Sequence, residues 1–168
     1  MESASNASPP HQTAISDVGE FGLIAHLRDT LGRPEDDTVT TGIGDDAAIY
    51  TVGDGRVHAI TTDVLIEGIH FDRSFMPMEH LGFKALSVNV SDVVAMNATP
   101  RYATVALGIP ESASVEMMQT LYTGMREACD AYDMTVVGGD TSGAHSLLLS
   151  VTVVGEAATD DVVHRHGA

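Results

Sequence analysis

Apolar positions along this chain switch between a helical and a strand-like period. Over 17–32 (DVGEFGLIAHLRDTLG), Leu23, Ile24 and Leu27 recur at helical spacing. Asp17 is placed to cap that helix and Gly32 to end it. Residues 33–41 are polar and read as a loop. Residues 46–52 and 56–64 read as strands joined at Gly53-Asp54-Gly55, a tight hairpin turn. The stretch 68–79 is irregular, with Pro77 breaking any continuous element. Residues 79–97 form a helix that is apolar nearly all round (Leu81, Ala85, Leu86, Val88, Val90, Val93, Val94, Met96), as buried helices are.

The second half repeats the alternation. Ala103, Val105, Leu107 and Ile109 share one face of a strand over 102–109. Ser114 can cap a helix whose stripe is Val115, Met118, Tyr122, Met125, Cys129 and Tyr132. Strands follow at 134–138 and 146–155, the latter with Leu147, Leu149, Val151 and Val153 facing one way. The order α-β-β-α-β-α-β-β predicts a two-layer α/β (α+β) domain over 17–168, a mixed β-sheet packed by helices. The Ser-, Pro- and Asn-rich residues 1–16 are expected to be a disordered tail.

Composition narrows the function classes. The chain has 168 residues, 43% of them hydrophobic, which is enough for a core. No apolar run reaches the 18 or so residues of a membrane span, and the N-terminus lacks the basic and apolar regions of a secretory signal. The expected location is the cytoplasm. One cysteine, Cys129, excludes an internal disulfide framework and a cysteine zinc site; on its helix stripe it reads as packing. The 24 acidic residues against 8 basic ones give a net charge of −16. Such a surface repels nucleic acid, anionic membranes and ATP, unless cations intervene. It also suits a halophilic, high-salt cytoplasm, the alternative being an acidic protein of ordinary salt.

Four acidic sites stand where elements meet loops: Asp45-Asp46, Asp63 in TTD, Asp92 in NVSD, and Asp140 in VVGGDTSG. Asp92 is the most informative, because a carboxylate on an apolar helix is costly unless paired or metal-bound. An ion pair or a cap is the plain alternative, but only Lys84, Arg73 and Arg101 are near in sequence. Oxygen ligands alone select a hard cation, Mg²⁺ before Ca²⁺ or Mn²⁺. Gly138-Gly139 before Asp140 would let a backbone approach phosphate oxygens, or simply form a turn. There is no P-loop, kinase catalytic loop, G-x-S-x-G elbow or H-E-x-x-H pair. His70, His164 and His166 read by themselves as structural or surface residues.

Taken in order, GEFGLIAHL (19–27), GIGDDAAI (42–49), TTDVLIEGIHF (61–71), KALSVNVSDVVAMNATP (84–100) and VVGGDTS (136–142) resemble the N-terminal half of thiamine-monophosphate kinase, in the aminoimidazole ribonucleotide synthetase superfamily. Asn97 departs from the family's usual Gly. The resemblance implies transfer of phosphate from ATP to thiamine monophosphate, with several Mg²⁺ ions. It implies Asp46, Thr61, Thr62, Asp63, Asp92 and Asp140 as metal ligands. Gly139, Asp140, Arg165 and Tyr122 become ATP contacts, and His70 a contact to the thiamine phosphate. No catalytic residue is implied beyond this positioning. A homodimer through the N-terminal sheet is implied, and a second domain is missing, so the expectation is a chain with little or no turnover alone. A sister enzyme of hydrogenase maturation or purine synthesis, or a non-catalytic cation-binding dimerisation module, are the other readings.

Overall fold

The structure, a computed structural model, describes residues 12–32 and 36–167. The chain divides into two units at Glu35/Asp36. The first unit contains helix α1 (Ile15–Leu31), kinked where Gly19 takes φ 68°, and no residue of it is buried. Its cap position is Ala14, so Asp17 lies in the first turn rather than capping it. The helix thus begins inside the expected tail, whose residues 1–11 lie outside the described ones.

The second unit is a six-stranded sheet, β1 (Val39–Thr41), β2 (Ala48–Gly53), β3 (Arg56–Ile66), β4 (Thr99–Ile109), β5 (Thr135–Gly143) and β6 (Leu148–Ala158), with helices α2 (Met78–Ala95) and α3 (Val115–Tyr132). The strand order is β1-β2-β3-β6-β4-β5. Among the strands of the described residues, only β4 and β5 pair in parallel, joined by α3 as a crossover. Strand β6 inserts antiparallel between β3 and β4. The mixed sheet and α+β class expected from the pattern hold. The sequence missed β1, because a three-residue strand in a polar stretch is too short to show a period. It also stopped β5 at residue 138, where two glycines and an aspartate have low strand propensity; pairing to β4 carries the strand through Gly143.

Odd-numbered residues of β3, β4 and β6 face the core: Val57, Ala59, Leu65, Ala103, Val105, Leu107, Leu149, Val151 and Val153 are all buried. Helix α2 lies on β6, β3 and β4, and α3 packs on α2. The helices touch at glycines. A Cβ on Gly82 would lie 1.9 Å from the Leu121 carbonyl oxygen, and one on Gly124 would lie 1.7 Å from that of Glu79. The buried side of α3 centres on Leu121, Gly124, Met125 and Ala128. That differs from the expected stripe, leaving Val115 exposed and Tyr122 on the rim. Likewise Val94 of α2 is exposed, so that helix has one open side. Ser114 caps α3 as expected, accepting the Met117 N–H at 3.2 Å.

Candidate functional site

Gly44, at φ 129°, turns the chain just before Asp45 and Asp46, which precede β2. Their roles then diverge. Asp45 is nearly enclosed, with 8% of its side chain exposed. Its Oδ1 accepts the Asp46 N–H at 2.9 Å and the Arg165 N–H at 3.4 Å, and its Oδ2 faces His164 Nδ1 at 3.3 Å. Burial pushes this carboxyl up, but those two backbone N–H groups and His164 together outweigh it, leaving it below the usual carboxylate range. Asp46 instead turns outward and pairs with the Arg165 guanidinium.

Two strand residues and one helix residue build the centre, beside the turn that carries Asp46. Alternation along β3 puts Thr61 and Asp63 on the core side. Thr61, 8% exposed, donates from Oγ1 to Asp92 Oδ2 at 3.1 Å. Burial pushes the Asp92 carboxyl above its ordinary value; the Thr61 hydrogen bond opposes this, and the charges of Asp63 and Asp46 add to it. Asp63 and Asp46 therefore lie near enough for their charges to act on Asp92. Lys84, Arg73 and Arg101 do not serve as the partner of Asp92. Lys84 donates to the His70 carbonyl, and Arg73 and Arg101 pair with Glu67 and Glu156. The cation at the site is Arg165, distant in sequence.

Other expected residues lie elsewhere. Thr62 points to the opposite face of the sheet, donating to the Val151 carbonyl at 3.1 Å and accepting from Thr152 Oγ1 at 3.1 Å. Asp140 pairs in register with Ala106, and through β6 with Ser150 and Val64, the row facing away from the core. It is three strands from β3, roughly 14 Å at ~4.8 Å per strand. Gly139 is explained by packing, since a Cβ there would meet the Val105 carbonyl oxygen at 1.8 Å. Tyr122 follows Leu121, whose carbonyl lies against Gly82, ten residues or roughly 15 Å along α2 from Asp92. Within one chain, then, Asp46, Thr61, Asp63, Asp92 and Arg165 gather, whereas Thr62, Gly139, Asp140 and Tyr122 do not join them.

His70 lies in the loop that opens at Glu67, four residues after Asp63. The Ile66 N–H donates to its Nδ1 at 3.0 Å, which leaves Nε2 as the N–H bearing nitrogen. Glu67 anchors this loop, binding Arg73 and accepting the Leu147 N–H at 3.1 Å. Neither link was readable from spacing. An open cleft of about 580 Å³ lies past the ends of β4 and β5, lined by Ile109, Pro110, Glu111, Ser112, Gly143, Ala144 and His145. It begins three residues after Asp140 and is separate from the carboxylate centre. Cys129 packs against the core, and burial pushes its thiol up, consistent with a packing role.

The donor chemistry fits a hard, hydrated cation. Asp92 feels two further carboxylates, Asp63 and Asp46, against one cation, Arg165, and burial pushes its carboxyl up. Among the described residues no group of three or more His, Cys, Asp or Glu is drawn into a coordination shell. Mg²⁺ does not need one, because it keeps several waters and takes one or two carboxylates together with substrate phosphates.

A family model described as AIR synthase related protein, N-terminal domain, matches residues 44–157. The thiamine-monophosphate kinase of Aquifex aeolicus is 41% identical over 154 residues, covering 92% of this chain and 47% of that protein. That of Bacillus subtilis is 40% identical over 140 residues, covering 83% and 42%. The solved structure of AaThiL complexed with AMPPCP and TMP superposes with a TM-score of 0.81 at 39% identity, covering 94% of this chain and 47% of that one. The chain spans a little under half the length of these relatives. A model match reaching from the turn before Asp45 almost to the end of β6, on a shared fold, means that the chain belongs to the AIR synthase related protein family as its N-terminal domain, with the resemblance to thiamine-monophosphate kinase that its motifs announced.

Proposed function

We propose that this chain is the Mg²⁺- and ATP-binding, dimer-forming N-terminal part of a kinase that phosphorylates thiamine monophosphate to thiamine diphosphate. The observation that carries this reading is Asp92, held by the Thr61 hydroxyl and within reach of the charges of Asp63 and Asp46, with Arg165 ion-paired to Asp46 at the edge. Those carboxylates and Thr61 would hold the metal, which when bound neutralises charge on the triphosphate. Phosphoryl transfer mainly needs positioning and charge neutralisation, and a phosphate acceptor is already deprotonated at neutral pH. The chain accordingly needs no general base. His70 would present its Nε2–H to the acceptor phosphate, and Arg165 its guanidinium fork to the nucleotide.

Thr62 and Asp140 share the sheet face turned away from the helices, along with the partly exposed Val64 and Tyr102. A homodimer through this face would bring those residues, with Gly139, to a nucleotide bound near the interface. Tyr122, on the rim of α3, is the remaining nucleotide contact in this reading. A relative solved in complex with AMPPCP and TMP supports both the nucleotide and the acceptor.

Calorimetry with Mg²⁺ and a non-hydrolysable ATP analogue tests the reading. Saturable heat from the analogue that requires Mg²⁺ and is lost in Asp46→Asn supports it. Heat from Mg²⁺ alone, with nothing added by the analogue, favours the non-catalytic cation-binding module instead. Sedimentation of wild type against Tyr102→Glu examines the dimer.

A further inference from the structure

Asp46 already holds a cation, the guanidinium of Arg165, whose side chain is 59% exposed. The backbone of that arginine is less free. Asp45 grips it through the Arg165 N–H and through His164. The segment leading to it is tied down as well: Asn97 Nδ2 donates to the Asp161 carbonyl at 2.8 Å, and the Val163 N–H donates to the Met96 carbonyl at 3.2 Å. A pinned backbone under a free side chain allows the guanidinium to swing without leaving the site. Asp63 and Asp92 lie within the same field but are not paired with that arginine.

We propose that Arg165 is an exchangeable cation: it occupies the Asp46 carboxylate until a divalent cation takes its place, and Asp45, as a positioning residue, keeps the released guanidinium at hand for a nucleotide phosphate. This rests on the function proposed above. The exchange follows from three physical points. Arginine stays charged at any working pH, so it can vacate Asp46 only by moving. An exposed pair is weak and easily replaced by an ion that several carboxylates share. A guanidinium fork matches phosphate as well as carboxylate, so the departing arginine has a second partner once nucleotide is present. Metal and nucleotide then help each other, because the nucleotide draws off the competitor for Asp46; such coupling is reciprocal.

The test is calorimetry on the full 168-residue chain, titrated with MgCl₂ alone and then with the ATP analogue at saturating Mg²⁺. Arg165→Met should bind Mg²⁺ alone about three- to fivefold more tightly than wild type, the scale of a lost surface pair. It should bind the analogue about tenfold more weakly and lose the mutual enhancement of metal and nucleotide. Asp45→Asn should weaken the analogue without weakening Mg²⁺ alone, circular dichroism confirming that both variants fold. Unchanged or weaker Mg²⁺ binding by Arg165→Met overturns the exchange; the functional reading survives that result if Asp46→Asn still abolishes Mg²⁺ uptake. If neither wild type nor Arg165→Met takes up Mg²⁺, the functional reading fails and the exchange falls with it.

Discussion

Thr61 and Asp92, on β3 and α2, are joined by a 3.1 Å hydrogen bond from the threonine hydroxyl to the carboxylate. It links the sheet to the helix layer at the point where Asp63 and Asp46 also bring negative charge. Asp92 has its pKa raised, so the folded chain binds its proton more tightly than the unfolded chain does. Folding is then favoured while Asp92 is protonated. Stability falls as pH rises from the ordinary carboxyl value, about 3.9, through the folded value, and the penalty persists above it. Asp92→Asn is expected to raise Tm at pH 7 by a few degrees and to remove any stabilisation by Mg²⁺. Thermal melts from pH 4 to 8, with and without MgCl₂, check both.

Asp45 behaves in the opposite sense. Its carboxyl is held low, so its contribution is present above the unfolded value and is lost as pH falls through the folded one. Asp45→Asn is expected to destabilise the chain at pH 7 by about 1–3 kcal/mol, the cost of spoiling a buried hydrogen-bonded acceptor. The difference should vanish in acid. Asp46→Asn should leave stability nearly unchanged while removing Mg²⁺ binding. Urea titrations at pH 7 and pH 3 separate the two.

Asn97 sits at φ 57° after α2 and donates to the Asp161 carbonyl. Asparagine tolerates the left-handed region, as glycine does, and its amide adds a tether that glycine lacks. Asn97→Gly should cost about 0.5–1.5 kcal/mol through the lost bond. Asn97→Ala should cost more, because a β-carbon is strained at that φ. If the segment it tethers positions Arg165, both variants should also weaken binding of the ATP analogue, a readout that stability alone would not move.

Net charge of −16 on 168 residues makes self-repulsion a general term in stability. Tm is expected to rise as KCl goes from 0.05 to roughly 1 M, over which the screening length shortens from more than 10 Å to about 3 Å. A flat Tm over that range would place the chain with acidic proteins that need no salt.

The apolar periods were sufficient for the main elements because each is long enough to repeat. Leu147, Leu149, Val151 and Val153 point inward as their alternation requires, and Ser114 caps α3 because its hydroxyl reaches the third residue of the helix. Strand β1 and the second half of β5 escaped detection because hydrogen-bonded neighbours, not side-chain pattern, make them strands. The buried side of α3 lies about one position out of phase with the apolar stripe, since Gly124 is buried by the Glu79 carbonyl that lies against it.

The same division runs through the site. By itself the sequence determined that acidic residues stand at element junctions in a lysine-poor chain, and which family those junctions resemble. Local chemistry and order along the chain suffice for that. Tertiary structure decided which carboxylates meet. Strand alternation put Thr61 and Asp63 on one face and Thr62 on the other, while the strand order carried Asp140 three strands away. It also separated the two aspartates of GIGDD, enclosing Asp45 as the grip on residues 164–165 and leaving Asp46 outside, facing a cation. The partner of each lies about 120 residues further along, and only the folded chain brings a separation of that length within hydrogen-bonding distance.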